Sequence, residues 1–432
     1  MPPGIRERFG MERSRTERFL VLLPISLVGG HLLLCFLYNW RTPFGNNGYA
    51  NTPDEGAHFA YVQYVARTWR LPVFRGYEGI GYEAHHPPLY YFSAAGFYRL
   101  VQSVSESGKW VRGVSTLFSA LTVLLAWLIA RRLRPDSLAW AVSVTAFVAF
   151  LPMQIAMGSA VGNDTLLTFL FTLCLWLLLN MLENPSTKRS VSIGLCIGAG
   201  MLTKTTAILL VPVALVAMWR LVRQGNHPLR EIGKWTATCL LGSALVGGWW
   251  FVRNALLYHD PLLQKTFQQA FAGTAKASDF FAAGVTPSEY LLWVGNWTFR
   301  SFWFAYGTPA TAATGKPNFL PEAVYWVLGF WQLGVLVGLL LRLQAPLAPL
   351  LGEWLRIALL ALLLVALTFI AFITVFFQAQ GRYFFPVLMP IAVLNALGWE
   401  GLFPTRFRSW AHGGLAGGGF TFAFWTWLTA LA

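Results

Sequence analysis

Charge is scarce in this chain. Of its 432 residues only 12% are Asp, Glu, Lys or Arg, where a soluble domain carries about 25%. Acidic residues are the scarcer sign, 18 against 32 basic, for a net charge of +14. In a soluble protein that excess would point to nucleic acid. No basic domain with interleaved aromatics is present, which excludes that reading. Cysteine is sparse too. Cys35, Cys174, Cys196 and Cys239 all lie inside apolar segments, and no C-x-x-C occurs, so a disulfide framework and a cysteine metal site are both excluded. No internal repeat is evident, which argues against a transporter built from inverted repeats.

What the chain does have is hydrocarbon: 56% hydrophobic residues, with 20 Trp and 34 Phe. This composition predicts an all-α, polytopic transmembrane helix bundle. The apolar runs predict about eleven spans, at 19–39, 110–131, 138–158, 164–182, 190–204, 205–222, 234–252, 322–342, 355–377, 384–400 and 411–431. The basic stretches "RERFGMERSRTER" (6–18), "RRLR" (131–134), "KR" (188–189), "RLVRQGNHPLREIGK" (220–234) and "RFRSW" (406–410) lie between these runs, the pattern of cytoplasmic loops. Residues 1–18 then form a basic cytoplasmic N-terminus and 19–432 one membrane domain. The first span, which lacks a small-x-small cleavage site, is a retained signal anchor. Parity puts loops 40–109 and 253–321 outside. It also makes 88–104 a non-spanning interfacial or re-entrant helix, its tyrosines at headgroup level; 288–306 is left unassigned.

The external side collects Asp54, Glu55, His58, His85, His86, Asp164, Lys204, Arg253, His259, Asp260, Arg382 and Tyr383. Ionisable groups beside apolar runs are costly and are usually paired or functional. Their gathering on one face predicts one polar cavity opening outward. In "NTPDEGAHFAYV" (51–62), Thr52 as N-cap, Pro53 at N1 and Glu55 at N3 make a capping box. The other reading gives Asp54 to catalysis as a general base, with Glu55 and His58 in support. Both readings are compatible: Glu55 caps while Asp54 works. "YEAHHPPLYY" (82–91) offers His85 and His86 to a phosphate or a metal. A metal site wants three or four ligands, which Asp54, Glu55 or Asp164 would have to complete; the bland reading is a solvated interfacial loop. Asp164 in "GSAVGND" serves equally as a helix cap. Lys204 in "LTK", Arg253 in "WWFVRN" and Arg382 with Tyr383 in "QGRYFFP" would face a phosphate, the arginines with a planar fork suited to it. Snorkelling and interfacial anchoring are the alternatives.

"PDEGAHFAYVQYVA", "HHPPLYYFSA", "GNDTLLTFLFTL", "GLCIGAGMLTKTTAILLVPV", "WWFVRNALLYHDPL" and "QGRYFFPVLMP" occur in that order. Together they resemble the GT-C superfamily of polyprenyl-phosphate-sugar-dependent glycosyltransferases. The pattern is close to the protein mannosyltransferase and lipid A aminoarabinose transferase group, over residues 19 to about 400. The resemblance implies a multi-pass enzyme of the bacterial inner membrane with an extracytoplasmic site. Its donor would be a sugar on polyprenyl phosphate, entering from the lipid, and transfer would proceed with inversion to a hydroxyl or amine of a glycan, lipid or protein acceptor. On this resemblance Asp54 is the base, Asp164 matches the acidic residue of the second external loop, and Lys204, Arg253 and Arg382 are candidates for the donor phosphate. The reading of the residues adds His85, His86 and Tyr383 to the phosphate site and has Asp164 orient acceptor or base. Some members bind a divalent ion and some do not, and no metal ligand is assigned. Members often carry a soluble C-terminal domain or extra spans, whereas this sequence closes on the apolar "FTFAFWTWLTALA". The rival readings are a transporter or flippase of lipid-linked sugars and a non-catalytic subunit of an envelope complex.

Overall fold

The computed structural model describes residues 3–44, 54–223, 227–307 and 318–430. Apolar runs unbroken by turn residues become helices, because in hydrocarbon only internally bonded backbone is stable. All eleven expected spans fall on helices, but fewer are long and apolar enough to cross a bilayer. Seven qualify: Val21–Arg41, Ser107–Leu133, Asp164–Glu183, Leu229–Tyr258, Glu322–Arg342, Pro349–Val375 and Gly381–Gly401. A bent pair, Leu138–Phe150 with Pro152–Gly158, makes eight if it is one span. Thr187–Met201 has only 15 residues, about 22 Å of helix against a hydrocarbon core of about 30 Å. Thr205–Leu221 is also short, and glycines at 413, 414, 417, 418 and 419 dilute the apolar character of Arg408–Ala430. The protein is thus an all-α polytopic membrane bundle, with seven or eight long apolar helices among the described residues in place of eleven. Among the described residues the only strands are the two-residue pair Ala305–Tyr306 and Asn318–Phe319.

The outward faces carry the apolar load expected next to lipid. Along Glu322–Arg342, Trp326, Phe330, Leu333 and Leu340 are all exposed, 57% or more each, a contiguous apolar face that water would not tolerate.

The bend in the pair at 138–158 has a local cause. Pro152 opens the second helix, and Leu151 before it is extended (φ −67°, ψ 117°), as a residue preceding proline prefers. The axis turns by 56°. The break frees the carbonyl of Ala149, which accepts a 2.7 Å hydrogen bond from Nδ1 of the buried His31. With Nδ1 donating, Nε2 of His31 accepts from Ser119 Oγ at 2.9 Å. The turn after the break delivers residues 159–164 to one end of the bundle.

Ion pairs fall at the two ends of the helices. At one end Arg132 meets Glu183, Arg220 meets Glu353, and Glu400 gathers Arg134, Arg342 and Arg408. At the other lie Glu55 with Arg112, and Asp54 and Asp164 with Lys204 and Arg382. The two segments left open at the ends are short. Leu89–Val101 has 13 residues and Pro287–Trp303 has 17. The tyrosines of the former are buried in the protein. Tyr91 stacks on Tyr61 with ring centroids 3.8 Å apart, and Tyr90 shares a 2.7 Å bond with Ser115.

Candidate active site

The helix after the first long span begins at Glu55, with Asp54 at its N-cap position. Thr52 and Pro53, the rest of the expected capping box, lie outside the described residues. Glu55 does not cap. Its two oxygens accept from Arg112 Nε and Nη2, each at 2.7 Å, and one also accepts from the backbone N–H of Val161 at 2.9 Å. Both side chains are 0% exposed. Arg112 spends its remaining donors on Asn39 Oδ1 and the carbonyls of Thr42 and Pro43. Glu55 is therefore a tie between the helix start and the bundle. A fully buried pair needs this complete set of partners, because an unpaired member would be very costly.

That tie turns Asp54 the other way. Its φ is 70°, the left-handed region, a conformation that Asp tolerates better than most residues but that still carries strain. Its side chain makes no cap bond. Oδ1 accepts from Tyr82 Oη at 2.7 Å and Oδ2 from Arg382 Nη2 at 2.8 Å. Arg382 spans the site: its Nη1 donates to Asp164 Oδ2 at 3.3 Å and its Nε to Gln380 Oε1 at 2.5 Å. Lys204 Nζ donates to the other oxygen of Asp164 at 2.6 Å. Asp164 is the first residue of its helix and no cap. The ring of Tyr383 lies 5.6 Å from the Arg382 guanidinium and 5.8 Å from the Lys204 ammonium, a cation–π contact to each. Two anions and two cations, from four separate segments, form one alternating chain of charge. Gly381 makes this possible. A Cβ there would lie 2.3 Å from the backbone N of Phe302, so only glycine lets the segment carrying Arg382 approach so closely.

Beside this chain lies a second cluster. Glu83, His85 and His86 offer ligand atoms all within 4.8 Å of one another, with Glu83 buried and the histidines half-buried. Glu83 is the acid that joins the two histidines, not Asp54, Glu55 or Asp164. Its Oε2 is 2.8 Å from His86 Nε2 and 3.5 Å from His58 Nδ1, yet makes no well-aligned hydrogen bond. His85 Nδ1 is 2.6 Å from the carbonyl of Tyr82. Donation there leaves Nε2 as the free lone pair, the usual outer-shell arrangement of a metal-binding histidine. Burial, with His86 next in weight, holds His85 neutral and lowers it to about 3. Burial and then Lys204 do the same to His86, also to about 3. Burial lifts the Glu83 carboxyl above its ordinary 4.5, and Asp54 adds to that against the pull of His58. Two neutral imidazoles and a carboxylate short of a cation fit a divalent ion with room for a further ligand. His58 packs into this cluster and also helps hold the Asp54 carboxyl down. Its Nδ1 lies 2.7 Å from Tyr91 Oη, and its ring stacks on His86 at 5.8 Å.

Arg253 lies apart from the charge chain. Its Nη2 donates to the carbonyl of Pro72 at 2.6 Å, and its guanidinium covers Trp250 at 5.0 Å. It anchors the loop that carries Pro72. The sequence reading passed over Glu83, Tyr82 and Arg112. Glu83 shares one turn with both histidines in "YEAHH", and Arg112 is a lone charge just inside an apolar run; each was a readable signal.

One family model matches part of the chain, residues 85–250: the family described as dolichyl-phosphate-mannose-protein mannosyltransferase. That span holds His85, His86, Asp164 and Lys204, and is less than half of the chain. Among solved structures, ArnT from Cupriavidus metallidurans bound to undecaprenyl phosphate is similar, with a TM-score of 0.44 and 16% identity over 91% of this chain and 77% of that one. The same protein in the apo state gives 0.41 and 17%, over 91% and 76%. No curated protein sequence matches significantly.

Proposed function

We propose that the chain transfers a sugar from a polyprenyl-phosphate donor to an acceptor on the extracytoplasmic side of a bacterial inner membrane, with inversion. The observation that carries this reading is the Asp54–Arg382–Asp164–Lys204 chain, four charges from four segments at the end of the bundle opposite the basic loops. A base and a cationic site side by side are what a single displacement needs. The acceptor hydroxyl gives its proton to Asp54 as its oxygen attacks the anomeric carbon. The bond from that carbon to the phosphate oxygen breaks, and the pair of electrons leaves with polyprenyl phosphate. Arg382 and Lys204 stabilise the added negative charge, and Asp164 holds both cations in place. Tyr82 orients Asp54 through its 2.7 Å bond.

An apolar groove of about 340 Å³ runs between Pro287–Trp303 and Pro349–Val375, with Phe384 in its wall. It lies two residues along the chain from Arg382 and suits the prenyl tail. Glu83, His85 and His86 would hold a divalent ion, which supplies positive charge beside the leaving phosphate. Arg253 serves the external loop in place of the phosphate, and Glu55 serves the fold.

The test is transfer by purified protein from a panel of polyprenyl-phosphate sugars, with Asp54→Asn beside the wild type. Transfer that vanishes in the variant while donor binding persists supports the reading. Full activity in the variant removes Asp54 as base.

A further inference from the structure

A cleft of about 440 Å³ opens to the outside between the 74–78 loop and the Gln264–Ala270 helix, within the range of about 300–1,000 Å³ of small-molecule sites. Its rim is polar: Arg75, Glu78, Thr266 and Gln269 line it with Tyr77. Among the described residues no side chain bonds those of Arg75, Glu78 or Gln269. Tyr77 is 67% exposed, an aromatic face presented to solvent. Phe74 and Ala270 supply apolar lining, and Phe74 is part of a buried cluster with Ala84 and Phe271.

The loop is pinned from beneath. Arg253 bonds the carbonyl of Pro72 at 2.6 Å, and Tyr258 Oη accepts from the N–H of Phe74 at 2.9 Å. Gly76, at φ +70°, takes the left-handed turn that brings the rim over the helix, with the Cβ position 3.5 Å from Ala270. One ring separates the cleft from the chemistry. Tyr77 lies 5.7 Å from Tyr82 between centroids, and Tyr82 donates to Asp54.

We infer that this cleft binds a neutral glycan as the acceptor, a reading that rests on the transfer reaction proposed above. A sugar ring has an apolar C–H face and a rim of hydroxyls that each donate and accept. Tyr77 meets the face, and a guanidinium, a carboxylate and an amide meet the rim. Arg75 and Glu78 cancel in charge, which disfavours an anionic ligand such as a free phosphate. An acyl chain would want an apolar lining throughout. An extended peptide would want a sheet edge or a row of pockets, and neither lines the cleft.

The experiment is binding of the purified full chain, in a detergent without a sugar headgroup, to an array of neutral, acidic and amino oligosaccharides. Tyr77→Ala and Arg75→Ala are run beside the wild type, and polyprenyl-phosphate binding is measured in parallel. The expected result is retention of neutral glycans that falls at least tenfold in both variants, with polyprenyl-phosphate binding unchanged. An array on which the wild type holds nothing above the variants overturns the assignment. Transfer to a peptide or lipid acceptor at a rate indifferent to Tyr77→Ala also overturns it, while leaving the transferase reading intact. Glycan binding through Tyr77 without transfer from any polyprenyl-phosphate sugar keeps the cleft and removes the reaction.

Discussion

Arg382 reaches Asp54 across 328 positions of chain, its Nη2 2.8 Å from the carboxylate oxygen. The same guanidinium holds Asp164 at 3.3 Å. One planar fork therefore sets the distance between the two acids. Lysine keeps the charge and loses the fork. Arg382→Lys is expected to cut turnover about 10²–10³-fold, the usual loss when one preorganised donor is removed from a site of developing charge. Single-turnover transfer at saturating donor checks it.

The Glu55–Arg112 pair has a different task, and its variants should show it. Arg112→Met leaves the Glu55 carboxylate buried with only the Val161 N–H and no cation, and breaking a buried pair costs about 3–5 kcal/mol. The melting temperature and the yield of folded protein in detergent should fall together. A variant of normal stability but no activity would mean that the pair belongs to the chemistry instead.

The Glu83, His85 and His86 cluster should bind a divalent ion stoichiometrically. Elemental analysis of protein purified without chelator is expected to find the metal, and Glu83→Ala to lose it. Binding followed by displacement of a zinc-sensitive dye gives a readout that needs no activity. Ligands removed singly typically cost 10–100-fold or more in affinity.

Acid should act on Asp54 at an unusually low pH. Burial pushes its carboxyl up, but Arg382 and then His58 outweigh it and hold it below the ordinary 3.8. A carboxyl depressed in the folded state stabilises the fold above its unfolded value, and that stability is lost as pH falls through the folded value. The contribution is therefore flat from about pH 5 to 8 and declines only below about pH 4. Asp54→Asn should remove part of that acid dependence, seen as melting temperature against pH.

Much of this was legible in the residues, and the failures have physical reasons. The clustering of Asp54, Asp164, Lys204 and Arg382 followed from helix parity and from the cost of charge beside apolar runs. The number of spans did not, because hydropathy alone cannot tell a 15-residue helix buried among others from one that crosses lipid. The role of Glu55 was hidden by its neighbours. "TPDE" is a good local capping signal, and nothing in that local pattern points to the fully buried arginine 57 positions away that Glu55 pairs with. Arg253 matched a phosphate-binding pattern in sequence, yet the nearest acceptor in the fold was a backbone carbonyl.

The broken helix at Leu151 has a consequence for how the chain is made. Its open backbone is tolerable in hydrocarbon only when a neighbour satisfies it, and that neighbour is His31. The first long helix is synthesised before the break and carries the donor with it. Ala149 thus enters the bilayer after its partner is already there. His31→Phe would leave a nascent segment with a bare carbonyl and nothing to meet it, so the defect should surface at insertion, before any sugar is at stake.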